Sequence, residues 1–391
     1  MTTADVVVAL DKLKGSLTAA EASAAVAEGL RAHSVLRVVE APVSDGGEGT
    51  VEWAVRAGFF RVAVDVTGPD GQPVRAAYAR RGDAVVVEMA QASGLALSTP
   101  PHRPLTATSR GTGELVRHAL EHGARHVVLG AGGSATTDGG AGLLQALGAL
   151  LLDAAGHAVP PGGGPLTRLH DADLRPLQEL LRGAEIVVAT DVDNPLLGPD
   201  GAAAVFGPQK GAGPQQVAAL EDGLAVLADV LAVASGRDLR SVPGAGAAGG
   251  LGLAALACLG ARREPGFAHL ARLTGTDDLI RGAGAVVTGE GSLDRQSLRG
   301  KAPVEVVRLA HEAAVPVHLV VGRCDLTREE LRALDAASLH TVLGLAAGPA
   351  AAIREARRYL VEIGGRVAHL ITDGQATTDA APTTSTTTDG G

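Results

Sequence analysis

The stretch of residues 130–142, GAGGSATTDGGAG, joins a predicted strand to a predicted helix and decides how this chain can fold. An apolar run, residues 127–129, precedes it, and a helical pattern that begins at Leu143 follows it. Glycine permits positive φ and close packing of a strand against a helix, so the junction indicates a tight β–α connection. Bare N–H groups near a helix N-terminus also bind anions. The stretch therefore predicts α/β architecture with an anion site in this loop.

The same strand–helix alternation recurs toward both ends of the chain. Val6–Leu10 predicts a buried strand, and Thr18 with Glu21 forms a capping-box pattern at the start of a long Ala-rich helix. The last third repeats the rhythm, with strands predicted at 285–288, 317–321 and 341–345. Runs within residues 59–89, separated by GPDGQP and RGD, interrupt the alternation and predict antiparallel hairpins.

We therefore expect an α/β protein of two α/β domains. Residues 1–77 together with 280–372 are predicted to form a Rossmann-like domain whose parallel sheet is built from both chain ends. Residues 78–279 are predicted to form an inserted, mixed α/β domain. Residues 373–391 offer almost nothing to bury and are expected to be disordered.

Composition excludes several classes of protein. The chain has 391 residues, 46% of them hydrophobic but only 2% aromatic, so its cores must consist of Ala, Val and Leu. A net charge of −9 argues against nucleic-acid and anionic-membrane partners. Two cysteines cannot make a disulfide scaffold and fit a reduced compartment. With no basic leader and no long apolar run, we expect a soluble, cytoplasmic protein.

Four acidic residues follow predicted strands: Asp11, Asp45, Asp191 and Glu290. Ligands of open parallel sheets bind outside the carboxyl ends of the strands, where an acid can hold Mg²⁺ or take a proton. One such acid would usually be a helix N-cap. Four of them, each flanked by Gly or Pro, indicate a site.

Cations lie close to these acids in sequence, namely Lys14, Arg110, Lys210 and Lys301. An isolated loop lysine is usually solvated surface. Lys210 and Lys301, however, adjoin glycine in loops that are otherwise poor in charge, as phosphate ligands do. Glycine-lined loops, carboxylates and scattered cations are what phosphoryl transfer requires, because developing charge must be neutralised and the acceptor hydroxyl held near a base.

Three other patterns carry less weight. The chain contains no Gly-x-x-x-x-Gly-Lys-Ser/Thr loop. Residues 244–249, GAGAAG, match a dinucleotide fingerprint, but no strand precedes them, so the match lacks its structural context. His118, Glu121 and His122 form an H-x-x-E-H pattern found in zinc metalloproteases. They fall on or beside the solvated face of their predicted helix, which favours an ordinary surface.

Eight motifs together resemble, in order, the type I glycerate kinase family. The resemblance extends from Val6 to Leu370 and is carried by DKLKGSLTAAEA (11–22), SDGGEGT (44–50), TSRGTGELVRHAL (108–120), GGSATTDGGAGLLQALGA (132–149), ATDVDNPLLG (189–198), FGPQKGA (206–212), PGAGAAGGLG (243–252) and TGEGSLDRQSLRGK (288–301). It implies a two-domain kinase that uses ATP and Mg²⁺ to phosphorylate D-glycerate. The expected acceptor is the 2-hydroxyl, giving 2-phosphoglycerate, with 3-phosphoglycerate as the alternative product.

Under this hypothesis substrate and nucleotide meet in a cleft between the domains. The N–H groups of Gly132, Gly133 and Ser134 bind an anionic oxygen, and Arg110 pairs with the glycerate carboxylate. The remaining expected roles are general base or metal ligand for Asp191 and Asp45, a second metal ligand for Glu290, charge neutralisation for Lys14 and Lys301, and phosphate binding for Lys210.

Other functions stay open at this point. A kinase for another small hydroxy acid would keep every feature above. A non-catalytic metabolite-binding protein of the same fold belongs to a different class and would tolerate loss of the acids. The partners expected are glycerate and a nucleotide, and a homo-oligomer is compatible with the sequence.

Overall fold

The structure, a computed structural model, describes residues 6–379 and divides the chain into two compact units. The terminal unit, as we call it, contains the described chain up to Pro42, Asp278–Leu298, and the described chain from Val306 onward. The inner unit contains Val43–Asp277 and Arg299–Glu305.

The strands of both units are numbered in chain order. They are β1 (Val6–Leu10), β2 (Val38–Glu40), β3 (Phe60–Thr67), β4 (Pro73–Arg81), β5 (Ala84–Glu88), β6 (His126–Gly130), β7 (Leu150–Asp153), β8 (Leu169–Asp173), β9 (Glu185–Ala189), β10 (Arg262–Glu264), β11 (Ala285–Gly289), β12 (Ser292–Leu293), β13 (Val317–Val321), β14 (Arg323–Cys324) and β15 (Ser338–Thr341).

The α-helices are numbered in the same way. They are α1 (Ala19–His33), α2 (Thr50–Arg56), α3 (Ala90–Ser93), α4 (Arg110–Glu121), α5 (Ala141–Ala146), α6 (Arg175–Leu180), α7 (Ala202–Phe206), α8 (Pro214–Ser235), α9 (Ala247–Cys258), α10 (Gly266–Thr274), α11 (Thr276–Arg281), α12 (Ala302–Glu312), α13 (Arg328–Ala333), α14 (Pro349–Arg354) and α15 (Ala356–Asp379). Short 3₁₀ turns occur at Leu95–Leu97, Gly164–Arg168, Pro208–Lys210 and Ser297–Arg299.

The terminal unit is built on a five-stranded parallel sheet with the order β15-β13-β11-β1-β2. All five residues of β1 are buried, as their β-branched run predicts. The predicted capping box at the start of α1 is present, with Thr18 and Glu21 bonded reciprocally. The chain turns from β1 to β2 on one side and later returns to β11 on the other. The carboxyl ends of β1 and β11 therefore flank the point where the strand order reverses, which is where open α/β sheets bind ligands.

Helices α1 and α15 pack against each other through glycine. A Cβ added to Gly29 of α1 would lie 2.0 Å from the carbonyl oxygen of Val361 in α15. One added to Gly364 of α15 would lie 2.3 Å from the carbonyl oxygen of Val26. Both distances are far below any van der Waals contact, so the backbones of these two helices approach each other only because side chains are missing.

The inner unit is built on a six-stranded mixed sheet with the order β10-β9-β6-β5-β4-β3. Strands β10, β9, β6 and β5 are parallel, and β5, β4 and β3 are antiparallel. The hairpins predicted within residues 59–89 are thus confirmed, and so is the α/β class. Since parallel strands end at one edge, the loops after β5, β6, β9 and β10 are neighbours.

The structure differs from the sequence-based expectations in three places. The chain leaves the terminal unit at Pro42 rather than at residue 77, because β3 and β4 pair with β5 and carry residues 43–77 into the inner unit. Strand β15 ends at Thr341, where the strand at 341–345 was expected to begin. Helix α15 extends to Asp379, into the segment 373–391 predicted to be disordered. The rest of that segment lies outside the described residues.

Replacing Gly29 by alanine tests the contact between α1 and α15, because helix propensity and packing predict opposite changes in the free energy of unfolding. Helix propensity alone favours Ala over Gly in a helix interior by about 1 kcal/mol. We expect the opposite, a loss of about 1–3 kcal/mol in the free energy of unfolding, because the new Cβ must push the Val361 carbonyl away. Urea denaturation of Gly29→Ala measures this. A variant that is as stable as the wild type, or more so, would contradict the packing described.

Candidate functional site

The loops at the carboxyl edge of the inner sheet pack backbone against backbone. Gly46, with φ of +92°, is so close to β9 that an added Cβ would lie 2.7 Å from the Ala189 carbonyl oxygen. The N–H of Gly132, after β6, donates to the carbonyl of Gly46 at 3.2 Å. A Cβ on Gly266, at the start of α10, would lie 2.2 Å from the Asp45 carbonyl oxygen. Glycine at these positions therefore lets three loops meet at one place.

Asp45 and Asp191 lie together at this edge. Oδ1 of Asp191 accepts the N–H of Gly266 at 3.0 Å, and Oδ1 of Asp45 accepts the N–H of Gly47 at 3.1 Å. Oδ2 of Asp191 is buried, and no donor within residues 6–379 bonds to it. Burial raises the pKa of Asp191 to about 7; the Gly266 N–H opposes the rise, and the negative charges of Asp45 and Glu305 add to it. A carboxyl group with this pKa can take or release a proton near neutral pH.

The turn of Gly132, Gly133 and Ser134 supplies backbone donors. Gly133 adopts φ of +73° and is exposed, and Ser134 is half-buried. Among the described residues no acceptor bonds to the N–H of Gly133 or Ser134. The N–H of Gly132 is used within the protein, because it donates to Gly46. Two of the three N–H groups expected to bind an anion are thus available for one.

Asp138 anchors the same loop from behind. Its side chain is fully buried and accepts hydrogen bonds from N and Oγ of Ser109 and from the N–H groups of Gly140 and Gly142. Burial raises the pKa of this carboxyl group, and the four donors oppose the rise. Asp138 was not among the residues predicted for the site, although its position as the sole acid in residues 130–142 is a signal for such an anchor.

Lys210 lies on the other side of the loop. It is 2% exposed, and its Nζ donates to Oγ of Ser134 at 2.9 Å and to the carbonyl of Thr136 at 2.6 Å. Burial lowers the pKa of Lys210 to about 7, against the opposing attraction of Asp138. The amine therefore binds the loop from within the protein.

Two other predicted cations lie in the inner unit. Arg110 is the exposed first residue of α4, and its Nε donates to Glu114 at 2.9 Å, one turn along the same helix. Lys301 directly precedes α12, in the segment Arg299–Glu305. Glu305 of that segment contributes to the raised pKa of Asp191, so the segment lies near the two acids.

Arg263 of β10 is a cation near Asp191 that sequence reasoning missed. Its charge opposes the rise in the pKa of Asp191, and its guanidinium forms an ion pair with Asp193. A Cβ on Gly244, with φ of +88°, would lie 2.6 Å from Cδ of Arg263. The glycine-rich motif at 243–252 therefore leaves room for the Arg263 side chain. This contact joins residues that are distant in sequence, so the motif alone does not predict it.

The remaining predicted residues, Lys14 and Glu290, belong to the terminal unit. Asp11 and Glu290 follow β1 and β11 directly, at the point where the strand order reverses, and both are almost fully buried. The N–H of Asp11 donates to the carbonyl of Gly289 at 2.8 Å, which continues the strand pairing. Lys14 is exposed, and a Cβ on Gly291 would lie 3.0 Å from its backbone nitrogen. Carboxylates from two neighbouring strand ends thus lie close to the loop that carries Lys14.

The H-x-x-E-H pattern is part of a helix surface. Nδ1 of His118 lies 3.1 Å from the hydroxyl of Tyr78, and the rings of His118 and His122 stack at 4.0 Å. Glu121 forms an ion pair with Arg117. Across residues 6–379 no group of three or more His, Cys, Asp or Glu side chains is arranged to hold a metal ion. No helix in the same range is long and apolar enough to cross a membrane.

Known proteins and a family model match most of this chain. The model of the glycerate kinase family matches residues 6–372. Glycerate 2-kinase of Escherichia coli is 45% identical over 323 residues, which cover 81% of this chain and 84% of that protein. Glycerate kinase of Bacillus subtilis is 44% identical over 324 residues, with the same coverage of 81% and 84%.

A solved structure agrees at the level of the fold. The crystal structure described as a glycerate kinase 2 from Salmonella typhimurium LT2 superposes with a TM-score of 0.82 at 38% sequence identity. The match covers 96% of this chain and 100% of that one. The family model and the two relatives cover most of the chain, so this protein is a kinase of the glycerate kinase family.

Proposed function

We propose that this protein transfers the γ-phosphoryl group of ATP to the 2-hydroxyl of D-glycerate, with Mg²⁺ as the metal ion. The observation that carries the proposal is the Asp191 carboxyl group, which is buried, held through Oδ1, and left without a donor on Oδ2. The name of the Escherichia coli relative, glycerate 2-kinase, supports the choice of hydroxyl.

Asp191 acts as the general base. The glycerate hydroxyl oxygen forms a bond to the γ-phosphorus, its proton passes to Oδ2 of Asp191, and the bond from phosphorus to the bridging oxygen breaks so that ADP leaves. Because the Gly266 N–H holds Oδ1, the free oxygen is fixed in direction. The charge of Asp45 strengthens the base, since a neighbouring negative charge favours the protonated form of Asp191.

The turn of residues 132–134 binds an anionic oxygen of one of the substrates. Its two available N–H groups, on Gly133 and Ser134, are donors of the kind that anion sites use. Arg263 is a second candidate, beside Arg110, for binding the glycerate carboxylate, because its charge acts on Asp191. Each arginine also has a carboxylate partner in the protein, Asp193 for Arg263 and Glu114 for Arg110.

The terminal unit would hold the metal ion. Mg²⁺ is usually bound by one or two carboxylates together with phosphate oxygens and water. Asp11 and Glu290, carboxylates at adjacent strand ends, are donors of this chemistry. An ion bound there would neutralise charge on the nucleotide phosphates, and Lys14 of the same unit would add positive charge. We therefore assign metal binding to Glu290 and Asp11, and acceptance of the hydroxyl proton to Asp191.

A coupled assay tests the proposed reaction. Purified protein is incubated with D-glycerate, ATP and Mg²⁺, and enolase converts any 2-phosphoglycerate to phosphoenolpyruvate. A signal without phosphoglycerate mutase establishes transfer to the 2-hydroxyl. A signal that needs the mutase moves the phosphate to the 3-position. Silence in both assays, with ATP unconsumed, removes glycerate as the substrate.

Replacing Asp191 by asparagine tests the base. We expect the variant to fold and to lose roughly 10²-fold or more in kcat, because the amide cannot take the proton. Asp200→Asn, at an exposed position of the same unit, is the control and should stay within a few-fold of the wild type. A loss below tenfold in Asp191→Asn would show that another group accepts the proton.

The rate of the chemical step should depend on pH through the same residue. Because the base must be ionised and its pKa is about 7, the single-turnover rate should rise with pH below 7 and level off above it. Single-turnover measurement from pH 5.5 to 9 separates this step from product release. A rate that is flat across pH 7, or that falls there, is incompatible with Asp191 as the base.

Glu290→Gln tests the metal site. The amide is a weaker ligand, so the Mg²⁺ concentration for half-maximal activity should rise roughly tenfold or more. Glu329→Gln, on an exposed face of α13, is the control in the same unit. Equal Mg²⁺ requirements in Glu290→Gln and the wild type would exclude Glu290 as a ligand.

A further inference from the structure

Lys210 and Ser134 form a buried amine–hydroxyl pair behind the turn of residues 132–134. Nζ of Lys210 lies 2.9 Å from Oγ of Ser134; Lys210 is buried, whereas Ser134 is half-buried and adjoins the exposed Gly133. The second acceptor of Nζ, the Thr136 carbonyl at 2.6 Å, fixes the direction of the amine. A ligand at the turn would therefore meet Ser134 and not the lysine behind it.

The hydrogen bond between the two side chains sets the direction of the serine proton. An ammonium group only donates, so Oγ of Ser134 must accept from protonated Lys210. The hydroxyl proton of Ser134 then has to point elsewhere. The turn already carries two N–H groups, on Gly133 and Ser134, for which the described residues provide no acceptor. An oriented hydroxyl would add a third donor to the same turn.

We propose that protonated Lys210 is a positioning residue, which turns the Ser134 hydroxyl into a hydrogen-bond donor for an anionic oxygen bound at the turn. The oxygen belongs to the glycerate carboxylate or to a phosphate of ATP. This inference rests on the proposed function for the identity of the ligand. It gives Lys210 an indirect role, through Ser134, in place of the direct phosphate contact that the sequence suggested.

The orientation of the Ser134 hydroxyl depends on pH, because it depends on whether Lys210 is protonated. Burial lowers the pKa of Lys210 to about 7, and the negative charge of Asp138 opposes that change. Two other titratable side chains in the described part of the chain lie close to these residues. A Cβ added to Gly211 would lie 3.1 Å from Cβ of His102, and one added to Gly133 would lie 3.6 Å from Oε1 of Glu48. A neutral amine has a lone pair that can accept the Ser134 proton, so the turn loses its third donor. Anion binding should therefore weaken as pH rises through about 7, and a bound anion should raise the pKa of Lys210.

Steady-state kinetics from pH 6 to 9 test the pair, with KM for D-glycerate and KM for ATP measured separately. In the wild type we expect one of the two constants to rise above pH 7; which one rises tells whether the oxygen comes from the carboxylate or from a phosphate. Ser134→Ala should raise that KM roughly tenfold at pH 6, since a hydrogen bond to a charged group is lost, and should abolish its pH dependence.

Lys210→Arg is the discriminating variant. A guanidinium stays charged throughout this range, so it should keep the KM low up to pH 9, whereas Lys210→Met should resemble Ser134→Ala. Ser235→Ala, at the end of α8, is the control. Thermal unfolding of each variant separates loss of fold from loss of binding. If arginine packs poorly at the buried position 210, the Ser134→Ala variant still tests the pair, because Ser134 is only half-buried.

The inference and the proposed function fail in different ways. An inactive wild type overturns the proposed function, and calorimetric titration of D-glycerate and of ATP at pH 6 and pH 9 then tests the pair by binding alone. An active wild type whose KM values are unaffected by Ser134→Ala overturns the inference. So does a Lys210→Arg variant whose KM rises with pH just as in the wild type.

Discussion

The buried Asp138 carboxylate is the interaction on which the inner unit's site depends. It accepts four hydrogen bonds, two from Ser109 and two from the backbone N–H groups of Gly140 and Gly142, at the start of α5. A buried carboxylate is costly unless donors satisfy it, so the loop and the start of α4 are held in one arrangement. Lys210 binds the same loop from another direction. The turn of residues 132–134 is therefore fixed in place, including the N–H groups of Gly133 and Ser134, for which the described residues provide no acceptor.

Glycines allow the loops that carry Asp45 and Asp191 to pack closely against the loop of this turn. Gly46, Gly132 and Gly266 allow backbone contacts that any Cβ would prevent, and those contacts bring Asp45 beside Asp191. Crowding two carboxylates into a buried place raises the pKa of Asp191 toward neutrality. One close-packed arrangement therefore requires glycine in these loops, buries Oδ2 of Asp191 and raises the pKa of Asp191 toward that of a base.

Local patterns predicted much of the fold, and non-local pairing accounts for what they missed. The strand Val6–Leu10 and the capping box at Thr18 were predictable because a buried β-branched run and a cap are local signals. The unit boundary was not, since residues 43–77 join the inner unit through strand pairs that no local pattern specifies. Acids after parallel strands were expected to share an edge, and Asp11 and Glu290 do so at the ends of β1 and β11. Asp45 follows β2, a strand of the other sheet, so its place near Asp191 comes from loop packing that no local pattern specifies. Which way Lys210 points depends on tertiary packing, which a single sequence does not reveal.

A crystal structure of the protein with D-glycerate bound tests the role of Asp191 most directly. We expect the 2-hydroxyl within hydrogen-bond distance of Oδ2 of Asp191. We also expect an anionic oxygen, of the carboxylate or of an added nucleotide, on the N–H groups of Gly133 and Ser134. Glycerate bound away from Asp191, or an Asp191 Oδ2 that contacts only protein in the complex, would show that Asp191 is not the base.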